Sequence, residues 1–192
     1  TFAIEPISQN FSILKANSQI NNLEDKFTCL NYLISDFEGQ SEIVTFTNNT
    51  AASLSVSSEA FIRKYIRVNN LKNSEKSVVE TTTLEKVFEK TTLVNPLFWI
   101  YAQGDELKII KGGRKTLKKN PPIIFNFSPL LNTKEKNELD FFQVLSEDLG
   151  YKKIVDLKDT KKKIVPIRED YFKKIEDQLL VNGSNTYLMV FL

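Results

Sequence analysis

The sequence predicts a mainly β chain with an α+β extension. A five-stranded barrel is expected over residues 8–92, and strands with two amphipathic helices over 96–192. Three observations carry that reading. Short alternating or β-branched apolar runs dominate the first half. The composition changes character after Val94-Asn95-Pro96. Clear 3.6-residue periodicity is confined to 132–150 and 168–183.

In the first half, residues 10–20 read as a loosely alternating strand, followed by the polar turn 21–26. Residues 27–35 read as a longer strand. Asp36, Phe37, Glu38 and Gly39 form a tight turn in which Gly39 supplies a positive φ, and 41–48 returns as the second strand of a hairpin. A loop leads into a short helix with Ser57 or Ser58 as N-cap. Residues 65–71 and 77–88 are further strands, the latter marked by Thr81, Thr82 and Thr83. In the second half, 96–102 is an aromatic strand and 104–113 a turn, strand and turn. Residues 114–122 form a basic loop stopped by Pro121 and Pro122. Residues 123–128 are a strand. The helix over 132–150 has a capping box of Asn132 and Glu135 and the stripe Leu139, Phe142, Leu145 and Leu149, with Gly150 as its cap. After a strand at 152–157, a second helix over 168–183 shows Phe172, Ile175 and Leu179 on one face. A final strand runs over 186–192.

Composition excludes several chemistries. The chain has no histidine and one cysteine, Cys29, so Ser-His and Cys-His catalysis and the usual zinc sites are out of reach. Neither the P-loop nor the dinucleotide-binding glycine pattern occurs. A single cysteine suits a reducing compartment. No charged leader and no apolar run long enough for a bilayer is visible, and a start at Thr1 reads as a piece of a longer or processed protein. Charge is uneven. Residues 1–96 carry 9 Lys and Arg against 11 Asp and Glu, and residues 97–192 carry 17 against 13, so a polyanion contact is expected in the second half.

The run Leu33-Ile34-Ser35-Asp36-Phe37-Glu38-Gly39, then Ser41 to Phe46 and later Tyr65 to Leu71, resembles OB-folds of the replication protein A and telomere-end-binding type. The resemblance covers about 40 residues. It implies a non-catalytic, telomerase-recruiting or replication-type accessory subunit that handles single-stranded nucleic acid mainly as a protein-binding scaffold. Phe46, Phe61 and Tyr65 would sit on its partner face. It further implies other protein subunits and single-stranded DNA or RNA as partners, a nuclear location, no cofactor and no membrane.

The nucleic-acid contact is expected on Lys108, Lys111, Arg114, Lys115, Lys118 and Lys119, with Trp99 and Tyr101 as stacking rings. The plainer alternative is a solvated lysine loop, with Phe98, Trp99, Tyr101, Phe125, Phe127, Phe141 and Phe142 building the core. An enzyme alternative reads Glu106 and Lys108 as the E-x-K of a metal-dependent nuclease on a strand. A third alternative is a protein-interaction module unrelated to nucleic acid.

Overall fold

A computed structural model describes residues 1–55, 66–67, 70–132 and 141–192. The chain divides into two compact units, Thr1–Thr83 and Leu84–Leu192.

The first unit opens with a β-α-β element. Strand β1 (Phe2–Ile4) leads through helix α1 (Ser8–Ile20) to strand β2 (Thr28–Leu30), and the two strands are parallel with Phe2 opposite Thr28. Ile7, Phe11, Leu14 and Ser18 recur every three or four residues on the half-buried to buried side of α1, while Ile13 and Ile20 face solvent. That spacing is helical, so the strand expected over 10–20 is a helix. The strand expected over 27–35 breaks at Asn31 and Tyr32 into β2 and β3 (Leu33–Ser35), which pair in different sheets.

The remaining strands of this unit form a four-stranded sheet. β4 (Gly39–Phe46) pairs antiparallel with β6 (Ser74–Thr83) and with β5 (Leu54–Ser55), while β3 pairs parallel with β6. Both β3 and β4 reach Thr81, from opposite sides of β6. The expected hairpin of 30–49 is therefore not a pair, because β6 lies between its arms. The sheet has four strands with β3 and β5 as its edges, and a helix stands over 8–20 where the first barrel strand was expected, so these residues do not form a five-stranded barrel and the fold is mixed α/β. Gly39 does take φ +147°, as its turn requires. Val44, Phe46, Ala52 and Leu71 cluster in the interior with Ile66 against them. Phe46 is thus fully buried, not a partner-facing ring. Phe61, Tyr65 and the helix capped by Ser57 or Ser58 lie outside the described residues. Ile66 and Arg67 are helical where a strand was expected.

The second unit is built on a five-stranded sheet in the order β10-β9-β11-β8-β7. Helix α2 (Leu84–Phe88) precedes β7 (Phe98–Ile100). Between β7 and β8 (Ile123–Phe127) run two short helices, α3 (Glu106–Lys111) and α4 (Arg114–Leu117), and β7 and β8 are parallel. This is a second β-α-β crossover, where a strand and a basic loop were expected. Gly113 joins α3 to α4 against α2, and a Cβ there would meet Leu84 Cδ2 at 2.7 Å. Helix α5 (Pro129–Asn132) follows. Gln143–Asp148 then forms a wide helical segment with i→i+5 bonding, and Gly150 after it takes φ +79°. β9 (Lys153–Asp156), β10 (Val165–Pro166), helix α6 (Glu169–Asn182) and β11 (Thr186–Phe191) complete the unit. Gly183 ends α6 at φ +59°.

Every residue of β8 is buried. On one face of its sheet, Phe141 stacks on Phe125 at 5.3 Å and stands edge-on to Phe127 at 5.5 Å, and Phe172 of α6 packs on both Phe127 and Phe141. Tyr151 is fully buried, and its hydroxyl donates to the Pro121 carbonyl at 2.6 Å. Burial pushes that phenol's pKa well up. No helix among the described residues is long and apolar enough to cross a membrane.

Candidate functional site

Parallel β-α-β elements expose polar groups at the carboxyl ends of their strands, and ligands of open α/β sheets bind there. In the first unit that end is Glu5, the residue after β1. Its Oε1 accepts from the Ile7 amide at 2.9 Å, at the entrance to α1, and from Asn10 Nδ2 at 3.5 Å. The Glu5 amide donates to the Leu30 carbonyl, and Asn31 Nδ2 donates to the carbonyls of Glu5 and Pro6 at 2.7 and 3.0 Å. The loop after β1 is thus clamped to the residue that follows β2. Among the described residues the side-chain bonds of Glu5 fall on Oε1, which leaves Oε2 open to hydroxyl donors. A carboxylate in this place of a β-α-β unit can accept hydrogen bonds from the hydroxyls of a ribose.

In the second unit the corresponding end is the loop 101–105 after β7. Two consecutive residues, Gln103 at φ +50° and Gly104 at φ +99°, hold the left-handed region. A Cβ on Gly104 would meet Leu131 Cβ and its carbonyl at 3.0 Å, so glycine is required by both φ and space. Glu106 fixes this shape. Its Oε1 accepts from the Ala102 amide at 2.9 Å and its Oε2 from the Gly104 amide at 2.8 Å. The side chain is fully buried, and burial raises its pKa to about 7 despite those amide donors. The neighbouring charge of Asp105 adds to the rise. Asp105 is itself buried, with Lys108 Nζ 3.5 Å from its Oδ1.

The expected E-x-K pair is therefore not a metal centre. Glu106 and Lys108 lie on a helix, not a strand. Glu106 spends both oxygens on backbone amides, and Lys108 neutralises Asp105. Among the described residues no group of His, Cys, Asp and Glu side chains is placed to hold a metal.

The expected basic stretch runs along α3, α4 and the turn after them. Arg114 Nη2 lies 2.6 Å from Asp148 Oδ2, and Lys115 pairs with Glu85, its Nζ 3.5 Å from Oε2 while its amide donates to Oε1 at 2.8 Å. Lys111 is half-buried, and Lys118 and Lys119 are exposed. Of the aromatics assigned to the core, Phe98, Phe125, Phe127 and Phe141 are buried and Phe142 half-buried. Trp99 and Tyr101 are not in the core: they are 67% and 50% exposed. Both meet Tyr187 of β11, which sequence reasoning did not single out. Tyr101 stacks on it at 6.2 Å and Trp99 meets its edge at 6.4 Å.

Each unit holds a parallel strand pair bridged by helix, which makes this a mixed α/β protein. The family model of the methyltransferase FkbM domain matches residues 1–153 of the 192, and the chain belongs to that family. No curated protein matches the chain. Membership replaces the OB-fold resemblance and, with it, the non-catalytic scaffold of the telomere or replication kind, the nuclease and the unrelated interaction module. The family is one of enzymes. The S-D-x-x-G run 35–39 misled because a tight Ser-Asp turn ending in glycine serves any two strands that must diverge sharply. The signal that was missed is Glu5-Pro6, an acid at a strand end followed by proline and a helical stripe.

Proposed function

We propose that this chain is a methyltransferase that draws its methyl group from S-adenosylmethionine. The observation that carries the reading is the FkbM-domain match over residues 1–153. The residues present fit the ribose of that donor. Glu5 stands at the carboxyl end of β1 with Oε2 open among the described residues, and the Ile7 amide holds its Oε1, so the carboxylate is positioned before any ligand arrives. When bound, the donor supplies a methyl group activated by a positive sulfur. Glu5 accepts the ribose hydroxyls, and the Ile7 amide on its other oxygen keeps the carboxylate from rotating away.

Isothermal titration of the full chain with S-adenosylmethionine tests both parts. Saturable binding is expected. Glu5→Ala should weaken it by at least about ten-fold, since hydrogen bonds to a charged acceptor contribute about 1.5–3 kcal/mol. Absence of saturable binding sinks the proposed activity, and unchanged affinity in Glu5→Ala sinks the role of Glu5.

A further inference from the structure

Within the second unit, the loop after β7 links a buried carboxyl to a buried amide. The Ile100–Phe125 register, carried one residue further, sets Tyr101 beside Asn126 of β8, and Asn126 is in register with Tyr187 of β11. Side chains of directly opposed residues share a face. The Tyr101 and Tyr187 rings, stacked at 6.2 Å, therefore meet over Asn126. Asn126 is fully buried beneath them, and among the described residues neither its Oδ1 nor its Nδ2 has a partner. A buried amide with both polar atoms unpaired is costly and gains hydrogen bonds as soon as water reaches it. Tyr101 covers that amide, and the loop 101–105 holds Tyr101.

The loop is held from inside. Glu106 accepts from the amides of Ala102 and Gly104, at 2.9 and 2.8 Å, and Gln103 Nε2 donates to the Tyr101 hydroxyl at 3.0 Å. Gln103 sits in the left-handed region at φ +50°, which costs a non-glycine residue energy and relaxes when the loop lets go. The Glu106 carboxyl is fully buried beside the buried Asp105, so ionising it places a second negative charge out of water. Lys108 Nζ lies 3.5 Å from Asp105 Oδ1, and Lys111 stands at the far end of α3. Among the described elements packed on α3 and the loop, β8 and α5 carry no ionisable side chain. Arg114 and Lys115 of α4 pair with Asp148 and Glu85, and Lys86 of α2 pairs with Glu89.

We propose that loop 101–105 is a pH-operated latch: with Glu106 neutral it holds Tyr101 on Tyr187 over Asn126, and with Glu106 ionised it opens and lets water reach both the carboxylate and the Asn126 amide. Opening is favoured as pH rises. An exposed Glu106 titrates at the ordinary 4.5, whereas burial and then the Asp105 charge hold it at about 7 in the closed loop. The two amides favour the ion and keep that value from rising further. Between 4.5 and about 7 the closed loop keeps a proton that the open loop has released, so each rise in pH shifts the balance toward opening. The latch goes beyond the methyltransferase reading and stands without it, since it needs no bound donor.

Amide hydrogen exchange on the isotope-labelled full chain tests this, with each rate divided by that of a free amide at the same pH. From about pH 5 to about pH 8 the protection of the Ala102 and Gly104 amides and of the Asn126 side-chain amide should fall together, by about ten-fold or more. The Phe125 backbone amide, in the middle of β8, should keep its protection. Glu106→Gln, which cannot ionise, should show no such fall. Asp105→Asn, which removes the neighbouring charge, should move the fall to lower pH, and it carries the test where Glu106→Gln does not fold. Protection that stays level with pH, an equal fall at Phe125, a fall that survives in Glu106→Gln, or one left unshifted in Asp105→Asn overturns the latch. A fall at Ala102 and Gly104 without one at Asn126 also overturns it, because the loop would then move without lifting Tyr101 from the amide.

Discussion

The loop after β7 holds its shape through one buried carboxyl, and its ionisation should be measurable as stability. Glu106 is fully buried, and its pKa rises from 4.5 to about 7, first because burial removes water from the charged form. The amides of Ala102 and Gly104 oppose that rise without cancelling it. A raised native pKa means that the folded chain keeps a proton which the unfolded chain has released between pH 4.5 and 7. The neutral carboxyl's contribution is therefore complete below 4.5, falls as pH rises, and is gone above about 7. A rise from 4.5 to about 7 corresponds to about 3 kcal/mol. Glu106→Gln cannot titrate. Its carbonyl oxygen serves one amide, but its NH2 must face the other, so at pH 5 it should be about 1–3 kcal/mol less stable than the native chain. Above pH 7 the native chain carries the ionisation penalty and the gap should close or reverse. Urea denaturation followed by Trp99 emission, at several pH values from 4.5 to 8, gives the difference between the two proteins and cancels the background of other carboxylates. A difference that stays constant over that range refutes the argument, because it would mean the two amides hold the group ionised throughout.

Gly113→Ala should destabilise the second unit by about 1–3 kcal/mol, since its new Cβ would sit 2.7 Å from Leu84 Cδ2; unchanged urea midpoints would show that α2 yields freely. Phe141→Ala removes a ring that touches Phe125, Phe127 and Phe172 and should cost about 3–5 kcal/mol, read in the same denaturation assay. Arg114→Ala breaks a half-exposed pair with Asp148 and should change stability by less than about 1 kcal/mol; a larger loss would show that the guanidinium does more than pair.

Much of the second unit was legible because its elements announce themselves locally. The apolar stripe Phe172, Ile175, Leu179 with Gly183 behind it gives α6 almost to the residue. Val165–Pro166 is too short to carry a pattern. Elsewhere short elements defeated the reading. Helix α3 spans Glu106–Lys111, fewer than two turns, and its Ile109-Ile110 pair reads equally well as strand. Helix α1 has Phe11 and Ile13 spaced as in a strand, and only Ile7, Leu14 and Ser18 together reveal the helical side. The break at Asn31-Tyr32 is set by tertiary pairing: β2 seeks β1, and β3 seeks a strand almost fifty residues further on. No local propensity encodes that choice.

The site was half visible for a related reason. Trp99 and Tyr101 stood out by residue type, yet alternation in Phe98-Trp99-Ile100-Tyr101 says only that two residues point one way and two the other. Which pair is buried depends on which face of the sheet the helices cover, and Phe141 and Phe172 settle it by packing on the Phe125 face. Tyr187 and Asn126 could not be joined to the pair before the β8–β11 register was known, being about sixty residues apart in sequence. Glu5 lies ahead of the barrel expected over 8–92 and no motif marks it; only its place after a strand and before a helix makes it the candidate ribose acceptor of the proposed methyltransferase. Chemistry in an α/β protein belongs to strand ends, so residue types can be read early, but their roles follow only from topology.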